Sequence, residues 1–181
     1  MSSSELIRWG GLAAIAGGVV WVLEGLLVLA IPESAVTDVL FSIAALCTVG
    51  GFVGFHTLQK DNYGRIGRGG FWTVVVAALA LVVGLIVLLV GSMALEGLFF
   101  PVVTLAVFVG FVLYGAATLQ ARVLPSWCGI GFIVGPSIFL LGDLLGSVGG
   151  ILFGLLWLAL GYVLWSHSGN RAATARPSRV S

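Results

Sequence analysis

Residues 71–93 read FWTVVVAALALVVGLIVLLVGSM, 23 consecutive positions without a charged side chain. A helix of that length rises about 35 Å at 1.5 Å per residue, enough to cross the roughly 30 Å hydrocarbon core of a bilayer. In lipid the backbone must satisfy its hydrogen bonds within its own segment, so such a stretch crosses as a helix. Five further predominantly apolar stretches follow: about Trp9 to Ile31, Val36 to Gln59, Leu98 to Gln120, Trp127 to Leu145 and Val148 to Ser166. The expected fold is all-α, an integral membrane six-helix bundle in one domain over residues 1–168, followed by a basic cytoplasmic tail over 169–181.

The composition agrees. Of 181 residues, 60% are hydrophobic and 8% charged, and the mean hydropathy is +1.18. An average soluble domain is about 25% charged. A water-soluble fold of this size would have too few polar side chains to cover its surface.

The bases fix an orientation on this frame. Arg8 precedes the first span, Lys60, Arg65 and Arg68 lie between the second and third, Arg122 between the fourth and fifth, and Arg171, Arg176 and Arg179 after the sixth. The alternate connections, around Ile31 to Ala35, Ala94 to Gly97 and Gly146 to Ser147, carry none. Because basic residues are retained in the cytoplasm, both termini are expected there, in a bacterial inner membrane. Among the acids, Glu5 and Asp61 share the basic side, whereas Glu24, Glu33, Asp38, Glu96 and Asp143 fall in the outer half or outer loops. The net charge of +1 thus hides an inner +6 facing an outer −5. The bases are too dispersed to argue for nucleic acid, and the tail reads as an anchor on anionic lipid head groups.

Tryptophan supports the span limits. Trp9, Trp72, Trp127 and Trp165 fall at cytoplasmic ends, where an indole prefers the interface. Trp21 and Trp157 do not fit that belt and are expected inside the bundle. The first span resembles a signal peptide in following a short basic start. Its apolar run is too long for one, it contains Glu24, and no small-residue cleavage site follows Ile31, so it is expected to remain.

The six spans also read as three repeated helical hairpins. Helices one, three and five begin at Trp9-Gly10-Gly11, Gly70-Phe71-Trp72 and Trp127-Cys128-Gly129. They approach Leu23-Glu24-Gly25-Leu26, Leu95-Glu96-Gly97-Leu98 and Leu141-Gly142-Asp143-Leu144. The abundance of leucine and glycine makes coincidence an equal competitor, and the spacings disagree.

Glycine, at 27 residues, is the second unusual feature. Gly11, Gly18 and Gly25 repeat every seven residues. Gly50 and Gly54, Gly131 and Gly135, and the series Gly142, Gly146, Gly150 and Gly154 repeat every four. With little hydrophobic drive between helices in lipid, close approach over small residues holds them together. Packing within one chain is the expected role, ahead of a homo-oligomer interface. Pro136 lacks a backbone donor in mid-span and is a candidate helix kink.

Glu24 and Asp143 are the candidate proton or cation sites. Glu24 lies about 22 Å along the helix from Trp9 and is followed by the apolar run Leu26 to Ile31. An acid at mid-helix costs about 3 kcal/mol on insertion scales and usually faces a bundle interior or a wet cavity. No lysine or arginine lies within any span. A hydrogen-bonded structural acid, or one in a wet outer vestibule, is the plainer reading for Glu24, and a solvated one for Asp143, a few residues before a turn. Glu33, Asp38 and Glu96 read as outer-loop charges.

No catalytic residue, metal site or cofactor is expected. The chain contains no His-Glu-x-x-His, no Gly-x-Ser-x-Gly and no phosphate loop. His56 and His167 lie near the cytoplasmic side, far from the outer acids; His56 reads first as an interfacial histidine, with a pairing to Asp61 or Gln120 at the inner rim as the alternative. Cys47 and Cys128 fall at different depths, which argues against a disulfide. Gly64, Gly67, Gly69 and Gly70 with Arg65 and Arg68 read as a flexible basic turn.

The start Arg8-Trp9-Gly10-Gly11-Leu12-Ala13-Ala14 and the loop Thr118-Leu119-Gln120-Ala121-Arg122-Val123-Leu124-Pro125 resemble those of small multipass bacterial membrane proteins without an assigned activity. The resemblance covers two short patches and carries over no functional residue. The expected function is an accessory, scaffold or interaction subunit without its own catalysis, whose partners are the lipid bilayer and a membrane protein or second copy. The alternative is a proton- or cation-coupled small-molecule transporter or channel using an intramembrane acid.

Overall fold

A computed structural model describes residues 2–31, 34–89, 99–140 and 147–174, with the backbone alone described at 88–89, 139–140 and 168–174. They form six helices: α1 (Ser3–Ala30), α2 (Ala35–Gln59), α3 (Gly64–Leu89), α4 (Phe99–Ala121), α5 (Ser126–Leu140) and α6 (Val148–Thr174). All but α5 are long and apolar enough to cross a membrane. The protein is an all-α, multipass membrane bundle.

Local chemistry sets the helix ends. At the start of α1, Ser2 Oγ accepts from the Glu5 N–H at 3.3 Å while the Ser2 N–H donates to Glu5 Oε2 at 2.7 Å, a reciprocal cap for two otherwise unpaired donors. Ser34 and Thr37 make the same exchange at the start of α2. Gly64 opens α3 with φ +63°, a left-handed conformation that costs glycine little. Arg122 takes φ 52° immediately after α4, turning the chain toward Pro125, whose carbonyl accepts from the Cys128 N–H at 2.9 Å in the first turn of α5.

Several limits differ from the hydropathy reading. The basic segment before the third span is not a flexible turn: Arg65, Gly67 and Arg68 already lie in α3. Tyr63 folds its ring over Gly67, where a side chain would collide with it, and so ties this first turn to the bundle. Helix α6 runs on to Thr174, so the first part of the expected tail is helical. Helix α5 continues through Pro136, and the expected extension of that span to Leu145 lies outside the described residues.

Each helix packs against its neighbours in chain order, and α6 closes the ring by packing against α1. The most extensive contact joins α1 to α6, ahead of α1 with its hairpin partner α2. Glycines on two adjacent faces of α1 produce this. A Cβ added at Gly11 would stand 2.8 Å from the backbone nitrogen of Trp165, and one at Gly18 would stand 2.7 Å from that of Leu158. On the other face, a Cβ at Gly10 would lie 2.5 Å from the Gly54 Cα. The described glycines of the seven- and four-residue series therefore serve packing within the chain, as expected. Gly142 and Gly146 lie outside the described residues.

Helices α2, α4, α5 and α6 meet on interlocked rings in the bundle interior. Phe52 is fully buried, with ring centroids 4.9 Å from Phe111, 5.0 Å from Tyr114, 5.5 Å from Phe132 and 5.6 Å from Trp157. The first two are edge-to-face, and such pairs add roughly 0.5–1.5 kcal/mol each beyond area burial. Trp21 and Trp157 are buried as expected. The outer surface shows the inverse pattern: Leu23, Leu26 and Leu29 on α1 and Val76, Val83 and Ile86 on α3 are each about half exposed or more, a surface suited to acyl chains and unsuited to water.

Candidate functional site

Glu24 sits half-buried on α1 toward α6. Its carboxylate occupies space left by the missing side chain of Gly150, since a Cβ there would lie 3.3 Å from Glu24 Oε2. Asp38, in the first turn of α2, is near enough to repel it electrostatically. Among the described residues, Glu24 has no ion pair and no hydrogen bond. Of the two plainer expectations, the hydrogen-bonded structural acid thus has no partner among those residues. Asp143, the second candidate, lies outside the described residues, as do Glu33 and Glu96.

One turn deeper lies a partly open cavity of about 70 Å³. All six helices contribute to its wall, with Trp21, Phe41, Thr48, Ala78, Phe111, Pro136 and Phe153 among the lining residues. Trp21 is held by an indole N–H that donates to Thr48 Oγ1 at 3.1 Å and by edge-to-face contacts with Phe41 at 5.0 Å and Phe153 at 5.4 Å. Pro136, singled out as a kink, lies in this wall. The Phe52 ring cluster forms the layer on the inner side, with Phe111 belonging to both.

A second polar group lies at the inner end. His56 Nδ1 hydrogen-bonds with the Tyr63 hydroxyl, and its ring stacks on Phe71 at 4.0 Å. Neither Asp61 nor Gln120 is its partner: both are exposed, and the turn between α2 and α3 brings Tyr63 to His56 instead. Burial pushes the Tyr63 phenol up to about 12, against the opposing pull of the Arg68 guanidinium. Gln59, fully buried, donates from Nε2 to the Tyr114 hydroxyl at 3.3 Å, and its Oε1 has no partner among the described residues.

Sequence reasoning missed Gln59, Tyr63 and Tyr114. The available signal was a tyrosine in mid-span and a glutamine at a span end, both needing a polar neighbour if buried. Cys47 and Cys128 are both free thiols. Among the described residues, no three His, Cys, Asp or Glu side chains converge as a metal-binding group would require.

The chemistry thus divides into two layers separated by aromatic rings: an acid over an apolar cavity on one side, and a hydroxyl, imidazole and amide network on the other. No family model, curated protein or solved structure matches the chain.

Proposed function

We propose that this protein is a non-catalytic accessory or interaction subunit of a bacterial inner membrane, with both termini in the cytoplasm. The observation that carries the reading is the Phe52 cluster. Six interlocked rings, from Phe52, Phe55, Phe111, Tyr114, Phe132 and Trp157, fill the interior between the cavity and the inner polar group. Among the described residues the polar atoms of that layer, the Tyr114 hydroxyl and the Trp157 indole nitrogen, make no hydrogen bond toward Glu24, the first meeting Gln59 on the inner side, so those residues give Glu24 no relay toward the basic end. The orientation is supported by the exposed Arg8, Lys60, Arg65, Arg68 and Arg122, which alternating helix directions bring to one end of the bundle.

The competing reading, a proton- or cation-coupled transporter, draws on Glu24 and the cavity beneath it. Reconstitution into liposomes with an imposed pH or sodium gradient separates the two. The accessory reading expects the gradient to decay as in empty vesicles. A flux abolished by Glu24→Gln in a folded protein would overturn it. Reporter fusions after Ser181 and at Gly64 are both expected to report cytoplasm, and an external signal from either would overturn the orientation.

A further inference from the structure

The Glu24 carboxylate has no cation of its own chain within reach. No lysine or arginine occurs between Arg8 and Lys60, between Arg68 and Arg122, or between Arg122 and Arg171, and both histidines lie toward the basic end. This holds for the outer connections as well, because it is a property of the sequence. A positive charge that meets Glu24 must therefore come from outside the chain.

The layer beneath the acid says what kind of charge fits. The outermost cavity-lining residues on α1, α2 and α6 are Trp21, Phe41 and Phe153. One helical turn outward on the same three helices stand Glu24, Asp38 and Gly150. Helix α1 runs outward and the other two run inward, so all three outward steps lead to the same layer. The lining beneath it is apolar apart from Thr48, whose hydroxyl oxygen already accepts the Trp21 indole N–H. A hard metal ion needs six or more oxygen ligands, and the described residues of these walls do not supply them. An organic cation with an apolar arm matches both layers. Its charge is neutralised by the carboxylates and by the faces of the surrounding rings, which attract cations through their quadrupole, and its arm displaces no strongly bound water.

Size narrows the class. An engineered cavity of about 150 Å³ holds a benzene ring. At about 70 Å³, this one suits a short alkyl arm rather than an aryl group. We infer that the outer-half cavity one helical turn beneath Glu24 is a binding site for a small alkylammonium cation, with the ammonium at Glu24 and the alkyl arm between Trp21, Phe41, Phe111 and Phe153. The inference goes beyond the accessory reading and stands or falls independently of flux.

The test is a titration of the full chain in phosphatidylcholine nanodiscs with n-butyltrimethylammonium, followed by the indole N–H resonance of Trp21, which is assigned with Trp21→Phe. Tetramethylammonium supplies the charge without the arm, and 1-butanol the arm without the charge. Saturable binding of n-butyltrimethylammonium is expected, with both controls weaker by about tenfold or more. Glu24→Gln is expected to weaken it by a similar factor. Ala78→Leu, which fills the cavity, is expected to reduce n-butyltrimethylammonium to the level of tetramethylammonium. Circular dichroism and elution volume establish that each variant is folded, and Ala45→Val replaces Ala78→Leu if the latter is not. Absence of saturation in the wild type, equal binding of tetramethylammonium, or an unchanged affinity in Glu24→Gln would each overturn the proposal.

Discussion

Gly150 makes room for Glu24: a Cβ at position 150 would stand 3.3 Å from Glu24 Oε2, so the acid on α1 and the bare backbone of α6 fit as a pair. Valine at 150 removes that room. Gly150→Val is expected to displace the carboxylate, strain the α1–α6 contact and lower stability by about 1–3 kcal/mol, as overpacking does elsewhere. Gly69→Ala is the control, since no atom lies within 4 Å of its added Cβ and alanine favours a helix by about 0.5–1 kcal/mol over glycine. Thermal unfolding in detergent measures both. Equal losses at the two positions would mean that the space at 150 is not what seats Glu24.

Glu24 itself is expected to contribute little to folding. It has no ion pair or hydrogen bond among the described residues, and a charge inside a span is costly. Glu24→Gln keeps the shape and removes the charge, so unfolding in mixed micelles is expected to show unchanged stability or a gain of up to about 1 kcal/mol, as at other sites where function outweighs stability. A marked loss would identify the carboxylate as a structural group.

Tyr63 couples stability to pH in the alkaline range. Its phenol is raised from about 10 to about 12 in the folded protein. Below pH 10 both folded and unfolded chains hold the proton, and the group's contribution is fully present. Between about 10 and 12 the unfolded chain releases the proton first, so stability falls as pH rises through this window. Tyr63→Phe is expected to flatten that part of the wild-type profile and, through loss of the His56 hydrogen bond, to cost about 1 kcal/mol at neutral pH. Parallel profiles for the two proteins between pH 10 and 12 would remove Tyr63 as the cause.

The helices were legible because twenty-residue hydropathy and lipid thickness leave few alternatives. The inward placement of Trp21 and Trp157 followed from their failure to match the interfacial belt, and the glycine series from the need for close contact. Neighbour identity was not legible. That α1 packs most extensively on α6 depends on Gly11 and Gly18 meeting the backbone around Trp165 and Leu158, partners about 150 residues away in sequence. The early start of α3 was hidden because Gly64, Gly67, Gly69 and Gly70 have poor helix propensity, which Tyr63 over Gly67 and the close approach of Gly70 to Gly110 override. His56 reads from sequence as an interfacial histidine, with Asp61 or Gln120 as alternative partners, and only the α2–α3 turn decides that Tyr63 reaches it. The pairing of Glu24 with Gly150 likewise required knowing that α1 and α6 touch.

The Phe52 ring is the point at which four helices share one contact, so its removal tests whether the bundle is a single cooperative core or a sum of helix pairs. In water, truncating a buried phenylalanine to alanine costs about 3–5 kcal/mol, part of it transfer and part cavity. In lipid the transfer part shrinks, because the unfolded reference is also apolar, and packing carries the loss. Phe52→Ala strips contacts from Phe111, Tyr114, Phe132 and Trp157 at once, so a cost at the lower end of that range, about 3 kcal/mol, is expected in mixed-micelle unfolding. Leu105→Ala on the bilayer-facing side of α4, 61% exposed, removes a side chain of similar chemistry and is expected to change stability by less than about 0.5 kcal/mol. Comparable effects at the two sites would mean that the rings fill space without joining the helices, and the closed layer beneath Glu24 would lose its structural basis.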